Sequence, residues 1–153
     1  MAARTTYRRR SVSEADNKAL FLRFVDAWNS RDVNRMFEFW APDLVHHHRD
    51  GDYGRDDVFT LMSGFMDAFP DLRFEVEQVV ADGEFVSARM KARATHQKDF
   101  AGFPATGREV AVTVMGMVRI ADGQIAEHWN VMDELALMQQ LGLLPRTMLD
   151  AIS

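Results

Sequence analysis

The sequence predicts an α+β fold, a cone-shaped barrel of a strongly curved, mostly antiparallel sheet that packs against N-terminal helices. Helical periodicity dominates the first half of the chain, and from residue 72 to residue 129 apolar and polar residues alternate as in strands. Helices followed by a run of strands are typical of α+β domains, whereas doubly wound folds alternate the two. The interior of such a cone is an apolar cavity suited to a small molecule.

Bulk properties bound the function. The chain has 153 residues, a net charge of -5 and no cysteine. The basic opening "MAARTTYRRR" predicts a disordered arm over residues 1–12, or an arm that closes over a neighbouring subunit or the pocket mouth. The chain length predicts a single domain over residues 13–153. The negative charge gives no support for a nucleic-acid partner. No apolar run approaches the roughly 18 residues of a membrane span, so no membrane contact and a cytoplasmic location are expected.

Three helices and a strand precede the sheet. The stretch "SEADNKALFLRFVDAWNSRD" predicts a first helix with Ser13 as N-cap. A short second helix is predicted in "VNRMFEFW", with Met36, Phe37 and Trp40 on one side and Pro42 closing it. We expect a short strand in "DLVHHH" and a third helix in "GRDDVFTLMSGFMDAF".

Two hairpins form the predicted sheet. Their turns are Asp82-Gly83 and Asp122-Gly123, and the turn-rich "QKDFAGFPATG" joins them. A short amphipathic helix is predicted in "DELALMQQLGLLP". Both faces of "REVAVTVMGMVRI" are largely apolar, so each needs cover. The helices and cavity cover one face, and the other favours a homodimer through the sheet, with cover by the C-terminal helix as the alternative.

Several linked motifs resemble those of the SnoaL-like polyketide cyclases. They are Thr95-His96, "FAGFPATG", "DGQIAEHW" and "QQLG". The resemblance implies a nuclear-transport-factor-like cone with a hydrophobic pocket for an aromatic polyketide, and neither a metal nor an organic cofactor. In the cyclases an aspartate directly after the tryptophan exchanges protons during an intramolecular aldol ring closure, and a histidine on the preceding strand assists. In this sequence those positions are Asn130 and Gly116.

An amide cannot take up a proton near neutral pH, so the cyclase machinery is missing from this pattern. Some relatives of this scaffold are thought to hydroxylate the polyketide instead, without flavin or haem. We therefore predict cofactor-independent hydroxylation of an anthracycline-type polyketide, with Asn130 polarising a substrate oxygen inside an enclosed cavity. Whether a reductase partner is needed stays open. The alternatives are an aldol cyclase whose base has moved to Asp133 or Asp67, and a non-catalytic binding cup.

The predicted catalytic residues are Asn130, His47, His128 and Asp133. His47 shares a strand face with Val45, and its pKa range suits a general base. The alternative is a surface histidine. His128 shares strand parity with Asn130, or lies on a solvated edge. Asp133 either supports the base or caps the last helix.

Further residues are predicted to bind substrate or to line the pocket. Gly116 marks either clearance for a ligand or a bend in the strand. The run "HHH" is not predicted to hold a metal, because neighbouring strand residues point to opposite faces. The predicted substrate-binding set is His96, Trp40, Trp129, Met62, Met66, Phe65 and Gly116.

Overall fold

A computed structural model describes residues 13–145, so the predicted arm over residues 1–12 and the last residues, 146–153, lie outside the described residues. The α+β prediction is confirmed. The described chain runs α1 (Glu14–Asn29), α2 (Val33–Glu38), β1 (Trp40–His48), β2 (Gly51–Tyr53), α3 (Arg55–Ala68), β3 (Arg73–Asp82), β4 (Phe85–Thr95), β5 (Glu109–Ala121), β6 (Gln124–Met132) and α4 (Glu134–Leu141). None of the helices within residues 13–145 is long and apolar enough to span a membrane.

The sheet is mixed and open. Its strand order is β2-β1-β6-β5-β4-β3, and β1 pairs with β6 in parallel while the other neighbours are antiparallel. The sheet does not close into a complete barrel, and β2 and β3 are its two edges. Closure would need β3 to pair with β2, and β2 has only three residues.

The two faces of the sheet differ in cover. One face, here called the core face, carries Val86, Val114 and Val118, which are buried beneath the helices. The other, the outer face, carries Met115 and Met117, which stay partly exposed. Because paired residues share a face, the strand register assigns the paired residues of β1, β4, β5 and β6 to one of the two.

The second helix is shorter than predicted. Trp40 begins β1 instead of ending α2, and Pro42 lies inside β1. Proline is tolerated there because the β1–β6 register is interrupted between Trp40 and Val45, so no ladder hydrogen bond needs its missing N–H. The strand β2 and the parallel β1–β6 pairing were not predicted from the sequence.

The predicted turns and caps largely hold. Asp122 and Gly123 have φ of 50° and 78°, as a two-residue hairpin turn of the primed type requires. The first hairpin turns one residue later than predicted, at Gly83 and Glu84, since Asp82 already pairs with Phe85. Ser13 caps α1 in a capping box with Asp16.

Candidate active site

Two buried histidines meet on the core face. The parallel pairing of β1 and β6 sets His46 beside His128, and their Nδ1 atoms are 3.1 Å apart. His46 is 2% exposed and His128 is 7% exposed. The ring of Phe24 from α1 lies edge-on to His128, with 6.4 Å between centroids. The pair therefore lies where the helix layer covers the sheet.

Burial keeps both rings neutral. Burial, with smaller contributions from the neighbouring His48 and His47, lowers the pKa of His46 to about 4. Burial also lowers the pKa of His128 to about 3, with a smaller contribution from His46. At neutral pH one Nδ1 must donate to the other, because two lone pairs or two N–H groups would repel each other at this distance.

The next polar groups on this face come from β1 and β2. His48 lies two residues beyond His46 on β1, and its ring stacks on that of Tyr53 at 5.2 Å. Tyr53 in turn pairs with His46 across the β1–β2 ladder. The end of the β1–β2 hairpin thus adds an imidazole and a phenol beside the histidine pair.

Asn130 faces the side that was predicted, but it is not enclosed. It lies two residues beyond His128 on β6 and pairs with Gly116 on β5, which puts it on the core face. Its side chain is exposed and, among residues 13–145, has no hydrogen-bonding partner. The prediction of an enclosed amide is therefore wrong for the described chain. A ligand bound there would itself have to displace the water around the amide.

His47 points away from this site. Its ring lies on the outer face, stacked on Trp129 at 4.7 Å, with Nδ1 2.9 Å from Asp52 Oδ1 and Nε2 3.1 Å from Glu127 Oε2. The hydrogen bond to Glu127, followed by that to Asp52, raises the pKa of His47. The expectation that His47 and Trp129 face the cavity is contradicted by this placement.

Strand parity explains the miss. A His47 ring facing the cavity would require Val45 to face inward as well, but Val45 is only half-buried, while Leu44 is 2% exposed. Leu44 and His46 share a face by alternation, and so do Val45 and His47. Choosing the larger aliphatic residue as the inward marker would have selected His46.

The two candidate replacement bases have structural partners. Asp133 accepts a hydrogen bond from the N–H of Ala136 at 3.0 Å and so caps α4, as the alternative prediction held. Asp67 is exposed on α3 and pairs with Lys98 at 2.5 Å. Neither carboxylate lies on the core face beside Asn130.

His96 lies in a separate aromatic cluster. It is 0% exposed, its ring stacks on Phe69 at 5.2 Å, and its Nδ1 accepts a hydrogen bond from the N–H of Thr106 at 3.2 Å. Eight residues of chain separate it from Ala88, which shares a row with Gly116. At ~3.3 Å per residue this is about 26 Å along the chain, so His96 and Asn130 are not brought together.

The remaining predicted pocket residues pack into the core. Trp40 is buried beside Phe24, with 6.1 Å between ring centroids, and its indole N–H has no partner among residues 13–145. Met66 is buried on α3, and Met62 and Phe65 are half-buried there against the same core. Within residues 13–145 no group of three or more His, Asp or Glu side chains is arranged to hold a metal ion.

Comparison with known proteins decides the family. Residues 18–141 match the family model of the SnoaL-like polyketide cyclases, which is most of the chain. The protein is a SnoaL-like polyketide cyclase family member. The resemblance predicted from the four motifs is confirmed.

Relatives of this SnoaL-like protein include two cyclases. Aklanonic acid methyl ester cyclase DauD from Streptomyces sp. strain C5 is 34% identical, over 80% of this chain and 80% of its own. The corresponding DnrD from Streptomyces peucetius is 26% identical, over 80% of this chain and 88% of its own. The crystal structure of AclR, a proposed hydroxylase from Streptomyces galilaeus, matches with a TM-score of 0.82 and 39% identity, over 87% of this chain and 100% of AclR.

Family membership makes the protein an enzyme and gives its fold the cone shape of this family. The relatives include both ring-closing cyclases and a proposed hydroxylase. The SnoaL-like fold alone therefore does not determine the reaction type, which depends on the side chains of the core face.

Proposed function

We propose that the protein hydroxylates an aromatic polyketide of the anthracycline type without an organic cofactor. The supporting observation is the composition of the core-face site, which comprises His46, His48, Tyr53, His128 and Asn130. None of these is a carboxylate, whereas aldol ring closure in the cyclases of this family uses an aspartate. The substrate class rests on the relatives named for aklanonic acid methyl ester.

The protein stabilises the reactive form of the substrate, and the substrate itself reacts with oxygen. Asn130 donates from its amide to a carbonyl or enolate oxygen of the substrate, which stabilises the electron-rich form that reacts with oxygen. Addition of O₂ to that carbon gives a hydroperoxide. Two electrons and two protons from an external reductant then cleave the O–O bond, leaving the hydroxyl group and one water. This balance is the reason for proposing a reductase partner.

Aldol ring closure is the second candidate function. It is favoured by one observation, namely that both curated relatives at 26% and 34% identity are named as cyclases. The two reactions differ in mass balance, because ring closure is an isomerisation or dehydration, whereas hydroxylation adds one oxygen atom.

Isotope labelling separates the two candidates. The purified protein is incubated with an anthracycline-type precursor and a reductant under ¹⁸O₂, and the products are analysed by mass spectrometry. Hydroxylation predicts one ¹⁸O atom in the product, and Asn130→Ala lowers its yield. Val131→Ala, the next residue on the opposite face, is the matched control. Unlabelled ring-closed product alone would refute the hydroxylase proposal, and tight binding without any product would favour the binding cup.

We also propose that the protein is a homodimer through the outer face. Phe85, Met115, Met117 and Val131 are exposed there, and Val131 is 70% exposed. The alternative cover, α4, buries Leu137 and Leu141 in the core and leaves those four residues exposed. Contiguous exposed apolar residues on a sheet mark an interaction surface, and a second copy with the same face is the simplest complement.

A further inference from the structure

We propose that His46 and His128 act as one catalytic unit, which takes up a proton on one ring and releases a different proton from the other. The inference rests on the proposed function only in that the first proton comes from a substrate oxygen. Its basis is the pair itself: two rings on neighbouring strands, both buried, joined through the same type of nitrogen at 3.1 Å.

Counting protons fixes the state of the pair. A single proton bridges the two Nδ1 atoms, so one ring carries it and the other accepts it. A neutral imidazole has one N–H, so the ring that donates at Nδ1 has a lone pair at Nε2. The ring that accepts at Nδ1 must carry its hydrogen at Nε2. The pair therefore always offers one acceptor and one donor.

Burial makes a relay more favourable than a single histidine base. A lone ring in this position would become a buried imidazolium when it took up a proton, and its low exposure makes that form costly. The groups around the pair do not offset that cost. They are His48 on β1, Tyr53 on β2, Phe24 on α1 and Val118 on β5, and within residues 13–145 no carboxylate is hydrogen-bonded to either ring.

The relay balances without net charge. A substrate O–H gives its proton to the free Nε2 of one ring, the bridging proton crosses from that ring's Nδ1 to the other Nδ1, and the second ring gives up its Nε2 proton. In the proposed reaction the released proton goes to water, and the outer oxygen of the peroxide takes up a proton from water after O₂ has added. Both rings stay neutral with their tautomers exchanged, and exchange with water resets them.

The first test is nitrogen NMR of the full-length protein labelled with ¹⁵N-histidine. Between pH 6 and pH 8 we expect complementary tautomers, with one ring protonated at Nδ1 and the other at Nε2. The variant His47→Gln, which changes the neighbouring outer-face ring, should leave these signals in place. Two rings both protonated at Nε2, or either ring doubly protonated at pH 6.5, would overturn the relay. Because this test uses the wild-type chain, it does not depend on a variant that folds.

The second test is kinetic. We expect His46→Gln and His128→Gln each to lower turnover by about 10²–10⁴-fold, and the double variant to lose no more than either single one. In mixtures of H₂O and D₂O the wild type should show a curved proton inventory, and the single variants a linear one. Losses that multiply in the double variant would show two independent residues and contradict the proposal.

The two proposals can fail separately. Complementary tautomers together with an unlabelled ring-closed product would keep the relay and reject hydroxylation, since an aldol reaction also moves a proton between two atoms. A labelled hydroxylated product from a protein with two Nε2–H rings would keep hydroxylation and reject the relay.

Discussion

Asn130 pairs directly with Gly116 across the β5–β6 ladder, and both lie on the core face. The resemblance to the cyclases implies an aspartate at the first of these positions and a histidine at the second. The backbone at Gly116 accepts a Cβ atom, which would lie 3.4 Å from the terminal methyl of the flexible Met90 side chain. The backbone at Gly116 therefore does not by itself require glycine.

Restoring that pair should redirect the reaction. We expect the double variant Asn130→Asp, Gly116→His to raise the rate of ring closure by about 10²–10⁴-fold over the unchanged protein, the contribution typical of general acid–base catalysis. The ratio of ring-closed to ¹⁸O-labelled product measures the change. Gly116→Ala is the control, since it fills the same space without adding a base. A folded double variant with an unchanged product ratio would contradict the prediction.

The free energy of unfolding should fall as the pH drops from about 6.5 to 4. The folded-state pKa values of His46 and His128 are lowered to about 4 and about 3, so in this range the unfolded chain binds protons that the folded chain excludes. Their contribution is complete above the ordinary histidine pKa and is lost as the pH falls. Each ring adds a slope of at most about 1.4 kcal/mol per pH unit. Urea denaturation at several pH values measures this slope. The double variant His46→Leu, His128→Leu should show a smaller slope between about pH 6.5 and 4.

His47 provides the matched control with the opposite sign. Its pKa is raised by Glu127 and Asp52, so its contribution is present below the ordinary histidine pKa and is lost as the pH rises through the raised value. His47→Gln should therefore leave the fall in the free energy of unfolding at acid pH unchanged. It should remove only the small fall that the wild type shows as the pH rises through the raised pKa of His47. If His47→Gln abolished the loss of stability between about pH 6.5 and 4, the buried pair His46 and His128 would not be its cause.

The sequence predicted the local features of the sheet well. Alternation in β3 to β6 and the Asp122-Gly123 turn are local patterns. Counting across that turn sets Trp129 opposite Gly116, but the register shifts by one residue between Arg119 and Ile120, and this shift sets Asn130 there instead. The β1–β6 pairing is non-local and parallel, and no turn fixes its register. The pairing itself therefore gives no signal for His46 over His47, since a one-residue slip exchanges their faces, and the only local signal is the larger aliphatic side chain of Leu44.

The outer face should hold two copies of the chain together. Val131→Asp puts a charge on the most exposed apolar residue of that face, so we expect the dimer to dissociate. Sedimentation equilibrium should then give half the molar mass of the wild type. Leu61→Asp makes the same change on α3, at a residue that is 42% exposed, and should leave the mass unchanged. A wild-type protein that sediments as a monomer at all accessible concentrations would refute the dimer.

Gln140 takes the place of a missing strand neighbour. The last β5–β6 pair is Val114 with Met132, and beyond it the side-chain amide of Gln140 accepts a hydrogen bond from the N–H of Ala111 at 2.7 Å and donates to its carbonyl at 3.1 Å. These two bonds tie α4 to the end of β5. Gln140→Ala leaves two backbone groups without their partner, which should lower the free energy of unfolding by about 1–3 kcal/mol.

The variant Gln140→Glu separates hydrogen bonding from packing. A carboxylate can still accept from the Ala111 N–H, but it cannot donate to the carbonyl and sets a negative charge against it, so Gln140→Glu should lose stability although its shape is nearly unchanged. Gln139→Ala, on the same helix, should change stability by less than about 0.5 kcal/mol. Urea denaturation gives the free energies, and hydrogen exchange at the Ala111 amide should accelerate in both Gln140 variants. Equal stability of Gln140→Glu and the wild type would show that α4 is held by the burial of Leu137 and Leu141 alone.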